Sequence, residues 1–409
     1  MSKSHEEKPV ELGVMNERDL GPVVRLIELA FGTERERAEK WLVASGIGNV
    51  RVVRDHGSPV ACLLRIAMGH YYGGRSVPTV GIAGVAVAPE ARGRGLARGM
   101  MRAAMQELAS ERVAISSLYA STQSLYRQVG YEQAGLSLRH ELPLAQIGER
   151  SAAGEVRELT AEDKPRVEAC YAAFARTMDG MLDRGAYIWN RTEKNRLGEY
   201  RGFGFFADGE LEAYLRLRQT VDQVTFRQTI DLSDVAFVRE RGGRRVLRFL
   251  SDFGMLAGDA TFLGGPTHPL LGLLALQVAK SSVKHAWMLR VCDIGAAVSA
   301  RGFSPHVKTA FELEISDATC PTNVGVWRVE VEGGAGRATK LAEGSSPHSG
   351  AGNALPRARA DIRGFAAMYG GSLAPAHAQL QGLVSGDPKA LAAMAAAFPV
   401  GCPCLVDGF

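Results

Sequence analysis

Two short stretches carry residue types at spacings that do chemistry. The first is Arg92-Gly93-Arg94-Gly95-Leu96-Ala97-Arg98, which follows an uncharged, β-branched run over residues 80–89 and leads into helix-forming residues through position 108. A buried strand feeding a glycine-rich turn at a helix start aims several backbone N–H groups at one point, with the positive end of the helix dipole behind them. That arrangement binds phosphate. The spacing Arg92-x-x-Gly95-x-Ala97 fits neither a dinucleotide G-x-G-x-x-G nor a P-loop, and no lysine or magnesium-holding hydroxyl follows it. The second stretch, Leu125-Tyr126-Arg127-Gln128-Val129-Gly130-Tyr131, sets a tyrosine on a helix that stops at a glycine, where a phenol can donate a proton.

The elements that must hold these groups follow from the patterning. Residues 10–15 read as a strand, and Asn16 with Asp19 three residues on caps a helix whose apolar face is Leu20, Val23, Val24, Ile27, Leu29, Ala30 and Phe31. A second helix spans 34–44. Strands at 50–54 and 60–68 flank the turn at His56, Gly57 and Ser58, and lead into the 80–89 strand and its turn. Strand 113–119, a short helix over 123–128 and a strand over 132–142 finish the unit. At the loop, the residues resemble the coenzyme A pyrophosphate loop of the GNAT acyltransferases, whose signature is Gln/Arg-x-x-Gly-x-Gly/Ala after a strand.

Composition is that of an ordinary soluble globular chain: 409 residues, 46% hydrophobic and 22% charged, long enough for two to four domains. A net charge of +4 is too small and diffuse for a nucleic-acid partner. The charged first nine residues form neither signal peptide nor anchor, and the most apolar run, 270–279, is too short to span a bilayer. Six scattered cysteines suit a reducing cytoplasm. Cys402 and Cys404 lie close together, but no further ligands stand at zinc spacing, so no metal is expected.

The middle of the chain echoes its start. Residues 156–159 followed by Thr160, Ala161, Glu162 and Asp163 restate a strand and a capped helix. Asp234-Val235-Ala236-Phe237-Val238 and then Arg241-Gly242-Gly243-Arg244-Arg245-Val246-Leu247 align with Gly84-Val85-Ala86-Val87-Ala88 and its loop. In that register Arg245 replaces Gly95 and Leu247 replaces Ala97, side chains that would fill a pyrophosphate's space. A second, degenerate copy of the same fold is therefore expected over 150–300. Beyond 310 come strands at 309–315 and 324–332, a Gly/Ser-rich loop at 343–353, and helices near 362–369 and 387–397.

Taken together, Phe31 and Trp41, Val85-Ala86-Val87-Ala88-Pro89, the Arg/Gly turn, Tyr119-Ala120-Ser121, Leu125-Tyr126, Gly130-Tyr131, Leu289-Arg290, Ala300-Arg301-Gly302-Phe303 and the terminal Phe409 resemble the Eis (enhanced intracellular survival) family of N-acetyltransferases. The resemblance covers essentially the whole chain. It implies an α/β (α+β) architecture of two tandem GNAT-like folds, the N-terminal one active (1–148) and the central one degenerate (149–304), then a sterol-carrier-protein-like α+β domain (305–409). It also implies a cytoplasmic homohexamer. Acetyl-CoA would be held by Val85, Ala86, Val87, Arg92, Gly93, Arg94, Gly95, Leu96, Ala97, Arg98 and Ser121. Tyr126 would be the general acid and the free carboxylate of Phe409 the base. Phe31, Trp41, Gly84 and Asp407 would meet the acceptor.

Family members that acetylate aminoglycosides carry a bulky aromatic where this chain has Gly84 and an acidic residue where it has Gly408; Asp407, shifted by one, would partly compensate. A polycationic amine such as an aminoglycoside is the acceptor this implies. The other readings are a protein-lysine acetyltransferase and a non-catalytic protein that binds lipid and coenzyme A.

Overall fold

A computed structural model describes residues 10–150, 154–342 and 354–409. The capping box forms as the sequence indicates. Asn16 accepts from the Arg18 N–H at 2.9 Å while Asp19 accepts from the Asn16 N–H at 2.9 Å, which starts a 3-10 turn and then helix α1, Leu20–Phe31. Val23, Val24, Leu26 and Ile27 are its buried face; Leu29, Ala30 and Phe31, assigned inward from the sequence, are exposed near its end. Helix α2 is Arg35–Ser45.

Strands β1 (Gly13–Val14), β2 (Val50–Asp55), β3 (Ser58–Tyr72) and β4 (Arg75–Val87) form an antiparallel run. β4 starts five residues before the expected position, because the hairpin at Gly73 and Gly74 turns with both glycines at positive φ. After β4 come helix α3 (Leu96–Ser110), strand β5 (Ile115–Tyr119), helix α4 (Gln123–Arg127) and strand β6 (Glu132–Pro143).

The middle unit repeats this plan with strand β7 (Glu155–Glu158), helices α5 (Lys164–Ala175) and α6 (Ala186–Glu193), strands β8 (Arg201–Ala207), β9 (Glu210–Val221) and β10 (Gln228–Phe237), helix α7 (Glu240–Ser251), and strands β11 (Ala257–Gly264) and β12 (Lys280–Val291). In both units the strand before the long helix pairs in parallel with the strand after it, β4 with β5 and β10 with β11.

One feature of the sheet escapes a sequential reading. The strand order is β1-β2-β3-β4-β5-β12-β6-β11-β10-β9-β8-β7. β6, expected to close the first unit, extends the second by pairing with β11, and β12 extends the first by pairing with β5, Trp287 opposite Tyr119. β6 and β12 pair with each other at the centre. The units have exchanged their last strands, so each completes the other's sheet, and a cut at residue 148 divides the chain but not the sheet.

The residues aligned with the first turn also fold differently from the expected loop. Arg241 to Arg245 lie within α7. The two glycines are there for packing: a methyl on Gly242 would lie 2.9 Å from the Glu212 carbonyl oxygen, and one on Gly243 within 3.0 Å of the Phe237 ring.

The C-terminal unit is a second sheet, with order β15-β14-β13-β16-β17, built from β13 (Thr309–Ser316), β14 (Gly325–Glu332), β15 (Ala335–Lys340), β16 (Arg357–Asp361) and β17 (Val384–Gly386). Helices α8 (Ile362–Tyr369), α9 (Pro375–Leu380) and α10 (Pro388–Ala397) accompany it. β15, β16, β17 and α9 were not foreseen, and the Gly/Ser-rich stretch 343–353 lies outside the described residues. A buried ion pair, Arg290 to Asp317 at 2.7 Å, ties this unit to β12. Among the described residues no helix is long and apolar enough to cross a membrane.

Candidate active site

The site is assembled where β4 parts from its neighbours. On one side the ladder with β3 skips from Cys62 opposite Ala86 to Leu64 opposite Ala83, leaving Gly84 and Val85 together opposite Leu63. This is a bulge, and Gly84 takes φ +58° to make it. On the other side β4 pairs with β5 only at Thr79–Ile115, Val80–Ser116 and Gly81–Ser117. Past Gly81 the two strands open into a V. Val85, Ala86 and Val87 line the β4 arm of that opening.

At its mouth, residues 92–95 are exposed and both Gly93 (φ +77°) and Gly95 (φ +75°) are left-handed. Gly95 is the N-cap of α3, and no side chain caps it. The first-turn N–H groups, including those of Leu96 and Ala97, have no partner within the helix. A methyl on Gly93 would meet nothing within 4 Å. An open, uncapped, fifteen-residue helix end behind a two-glycine turn fits the pyrophosphate of a coenzyme. Of the basic residues here, Arg92 is exposed, Arg94 lies before the helix and pairs with Asp55 at 2.8 Å, and Arg98 donates to Gln128 at 3.0 Å. In the middle unit Arg245, aligned with Gly95 by sequence, lies instead inside α7, buried and donating to the carbonyls of Phe206 (2.9 Å) and Glu155 (2.8 Å).

Tyr126 is 5% exposed on α4 and packs edge-on against Tyr131 at 6.1 Å between centroids. Burial pushes its hydroxyl above the ordinary tyrosine value, and a hydrogen bond with Ser121 only partly offsets this. The phenol therefore keeps its proton at neutral pH. Tyr126 belongs to the apolar cluster on the α3 side of the sheet, with Val85 and Val87.

The chain terminus arrives from the other face. Phe409 joins the cluster containing Trp41, Ala83 and the buried face of α1. A methyl on Gly81 would lie 2.9 Å from Phe409 Cε2 and 2.6 Å from Met68 Cε. The tail is anchored along its length: Cys404 N–H donates to Asp179 O at 3.0 Å, Ser137 donates to Leu405 O, the Tyr119 hydroxyl lies 3.0 and 2.9 Å from Leu405 O and Asp407 O, and Arg191 Nε donates to Gly408 O at 2.8 Å. The rings of Tyr119 and Phe409 stand 5.5 Å apart.

Of the residues expected around the acceptor, Trp41 and Gly84 do meet. A methyl on Gly84 would be 2.6 Å from Trp41 Cη2, so Trp41 fills the space that a larger residue at 84 would need. Trp41 is held by a 2.8 Å bond from its Nε1 to the Tyr187 hydroxyl. Phe31 is 56% exposed and lies outside the cluster that joins Trp41 to Phe409. The Asp407 carboxylate is buried on Arg184 rather than presented to an acceptor. Tyr119, Arg184 and Arg191, which fix the tail, were not foreseen; Tyr119 at least stood in a noted motif, whereas nothing marked the two arginines.

Beside the tail lies a cavity of about 510 Å³. Tyr119 and residues 406–409 line it, together with α6, the residues after it, β10, β11, β12 and Arg139 of β6.

Comparison with known proteins gives a consistent answer. Residues 13–134 match an acetyltransferase (GNAT) domain model, residues 180–291 a second model of that description, and residues 294–406 a sterol carrier protein domain. An uncharacterized N-acetyltransferase of Streptomyces coelicolor is 28% identical over 281 residues, covering 63% of this chain and 65% of that protein. The N-acetyltransferase Eis of Mycobacterium tuberculosis is 26% identical over 307 residues, covering 69% of this chain and 73% of that one. A crystal structure of a GCN5-related N-acetyltransferase from Anabaena variabilis superposes with a TM-score of 0.89 at 25% identity, covering 98% of this chain and 100% of that chain.

Proposed function

This chain is an Eis-like GNAT N-acetyltransferase by family, and we propose that it transfers the acetyl group of acetyl-CoA to a primary amine. One observation supports the reading: Tyr126 shares an apolar cluster with Val85 and Val87, while Phe409, in the cluster of Trp41 and Ala83, lies against Gly81, where β4 and β5 part. In the proposal the turn 92–95, with Leu96, Ala97, Arg98 and Ser121, holds the coenzyme, and the bulge at Val85 to Val87 polarises the thioester carbonyl. The N–C bond to the acetyl carbon forms as the C–S bond breaks. The cationic amine gives up two protons, one to the base as it attacks and one as the tetrahedral adduct collapses, the second replacing the proton that Tyr126 hands to the departing sulfur.

The base is the terminal carboxylate. An α-carboxyl near 3.5 and an alkylammonium near 10 differ by about 6 units, roughly 8–9 kcal/mol, too much for direct abstraction without help. The Phe409 carboxylate instead attracts and orients the cationic amine and takes its proton through water as attack proceeds. The central copy, its turn folded into α7 and occupied by Arg245, serves as scaffold. The three units are proposed at 1–148, 149–304 and 305–409, with β6 and β12 exchanged across the first boundary.

The family likeness suggests a polycationic acceptor such as an aminoglycoside, a cytoplasmic setting and a hexamer. Free thiol release from acetyl-CoA, scanned over aminoglycosides, polyamines and lysine peptides, tests the activity; no release with any amine would leave a coenzyme-binding protein. Sedimentation of the intact chain tests the assembly.

A further inference from the structure

The 510 Å³ cavity beside the tail is polarised. At the tail end stands Asp407, already held by Arg184. Arg139, Arg191, Arg196 and Lys284 also line it; Arg139 pairs with Glu141 at 3.7 Å and Arg191 sits at the tail, and neither Arg196 nor Lys284 forms a salt bridge among the described residues. A further carboxylate in the lining, Asp231, is engaged by the hydroxyls of Tyr200 at 2.6 Å and Thr261 at 2.9 Å. Arg191 spends one N–H on the tail at Gly408 and another on the Tyr187 hydroxyl.

Arg196 and Lys284 come from segments far apart in sequence yet act on the same side chain. His285 is held below the ordinary imidazole value by burial first and then by the positive charges of Lys284 and Arg196. Two cations whose fields meet at one imidazole repel each other, and an anion bound beside both offsets that repulsion. His285 in turn lies 5.2 Å from the ring of Tyr119, which lies 5.5 Å from Phe409. His285, on which both cations act, is thus joined through the Tyr119 ring to the ring of the terminal residue.

Resting on the acetyl-transfer reading, we propose that the acceptor is a bipolar small molecule: a primary amine at one end and an anionic group, carboxylate or phosphate, at the other. Its amine meets the Phe409 carboxylate, and its anion meets Arg196 and Lys284. A polycation, the acceptor that family likeness alone suggests, would find its attraction at the tail but repulsion at Arg196 and Lys284, which narrows that part of the proposal. The products are the N-acetylated anion and free coenzyme thiol.

The test uses the intact chain and four amines of similar length: 6-aminohexanoate, 3-aminopropyl phosphate, 1,6-diaminohexane and hexylamine. KM for at least one anionic amine is expected to be about tenfold or more below that of the diamine, with the advantage shrinking as salt rises. Which of the two anionic amines is preferred separates carboxylate from phosphate. The double charge reversal Arg196→Glu with Lys284→Glu should shift the preference about tenfold or more toward the diamine, with KM for acetyl-CoA within about twofold. A diamine KM equal to or below both anionic ones, or a preference unmoved by the reversal, overturns the inference. If no amine releases thiol, the transfer reading fails and calorimetry decides the anion site alone: 6-acetamidohexanoate binding the native chain, and about tenfold more weakly the double variant, sustains it. No binding to the native chain ends it.

Discussion

Asp407, two residues from the carboxyl terminus, accepts from Arg184 Nε at 3.0 Å on one oxygen and pairs with its Nη2 at 2.9 Å through the other, both side chains being buried. Arg184 also grips Asp234 at 2.6 and 3.0 Å and lies 3.6 Å over the Tyr171 ring. The C-terminal tail is thus fastened to the middle unit, and the second copy of the fold contributes by holding another element in place.

Removing one member of this buried triad should loosen the tail and destabilise the fold together. Asp407→Ala leaves Arg184 with Asp234, so the loss is expected at the low end of the range for breaking a buried pair, about 3 kcal/mol. Urea denaturation and turnover on the same preparation measure both. A variant as stable and as active as the native chain would show that the triad positions nothing.

Gly81 provides a second handle on the tail. Gly81→Ala places a methyl 2.9 Å from the Phe409 ring and 2.6 Å from Met68. The methionine end can swing aside, whereas the ring is confined beside Tyr119, so Phe409 should shift. Turnover is expected to fall by about a hundredfold, as small displacements of a reacting group do, with little change in melting temperature. Adding one residue after Phe409 should act alike by moving the carboxylate. Full activity in both variants would remove the terminus from the reaction.

How much of this was legible in sequence depended on how local the determinants were. The Asn16–Asp19 box, the Gly95 turn and Tyr126 on its short helix are set by residues a few positions apart, and patterning found them. The exchange of β6 and β12 was invisible, because an alternating strand does not say which edge it joins. Asp407 looked like a free acid near the pocket; its partner is 223 residues away. Gly242 and Gly243 suggested a turn, but those glycines serve close approach of α7 to β9 and β10 rather than positive φ. Trp41 and Gly84 were both singled out, yet only the fold shows that one occupies the space of the other.

Acid should weaken the fold through two buried histidines. His70 is stacked on Trp287 at 5.3 Å between centroids and bonded to Gly180 O (2.7 Å) and Ser117 (2.9 Å). Burial lowers His70 to about 4 and, with His140 adding repulsion, His268 to about 3. Both stay neutral in the fold and take protons once unfolded, so stability is full above the ordinary imidazole value near 6.5. It declines as pH falls from there toward 4 and 3. For His70 the loss is on the order of 3 kcal/mol. Denaturation midpoints across that window, compared with His70→Gln, check this; an unchanged slope in the variant would place the acid sensitivity elsewhere.

Tyr126→Phe tests the proposed proton donor. The hydroxyl is held above the ordinary tyrosine value mainly by burial, so the acid form dominates at neutral pH, and no alkaline loss of rate from this group is expected below about pH 10. Removing it takes away the proton for the departing sulfur and leaves the ring packed on Tyr131. The turn at Gly95 is untouched. kcat should therefore drop about a hundredfold or more, the range for a lost general acid, while KM for acetyl-CoA stays within about twofold, since the interaction is made only as the C–S bond breaks. The residual rate should recover when the leaving sulfur is made a better leaving group, as in an acetyl thioester of lower thiol pKa. Phenylalanine at 126 with native kcat would assign the proton to water, and Tyr126 would then be a packing residue whose hydroxyl is satisfied by Ser121.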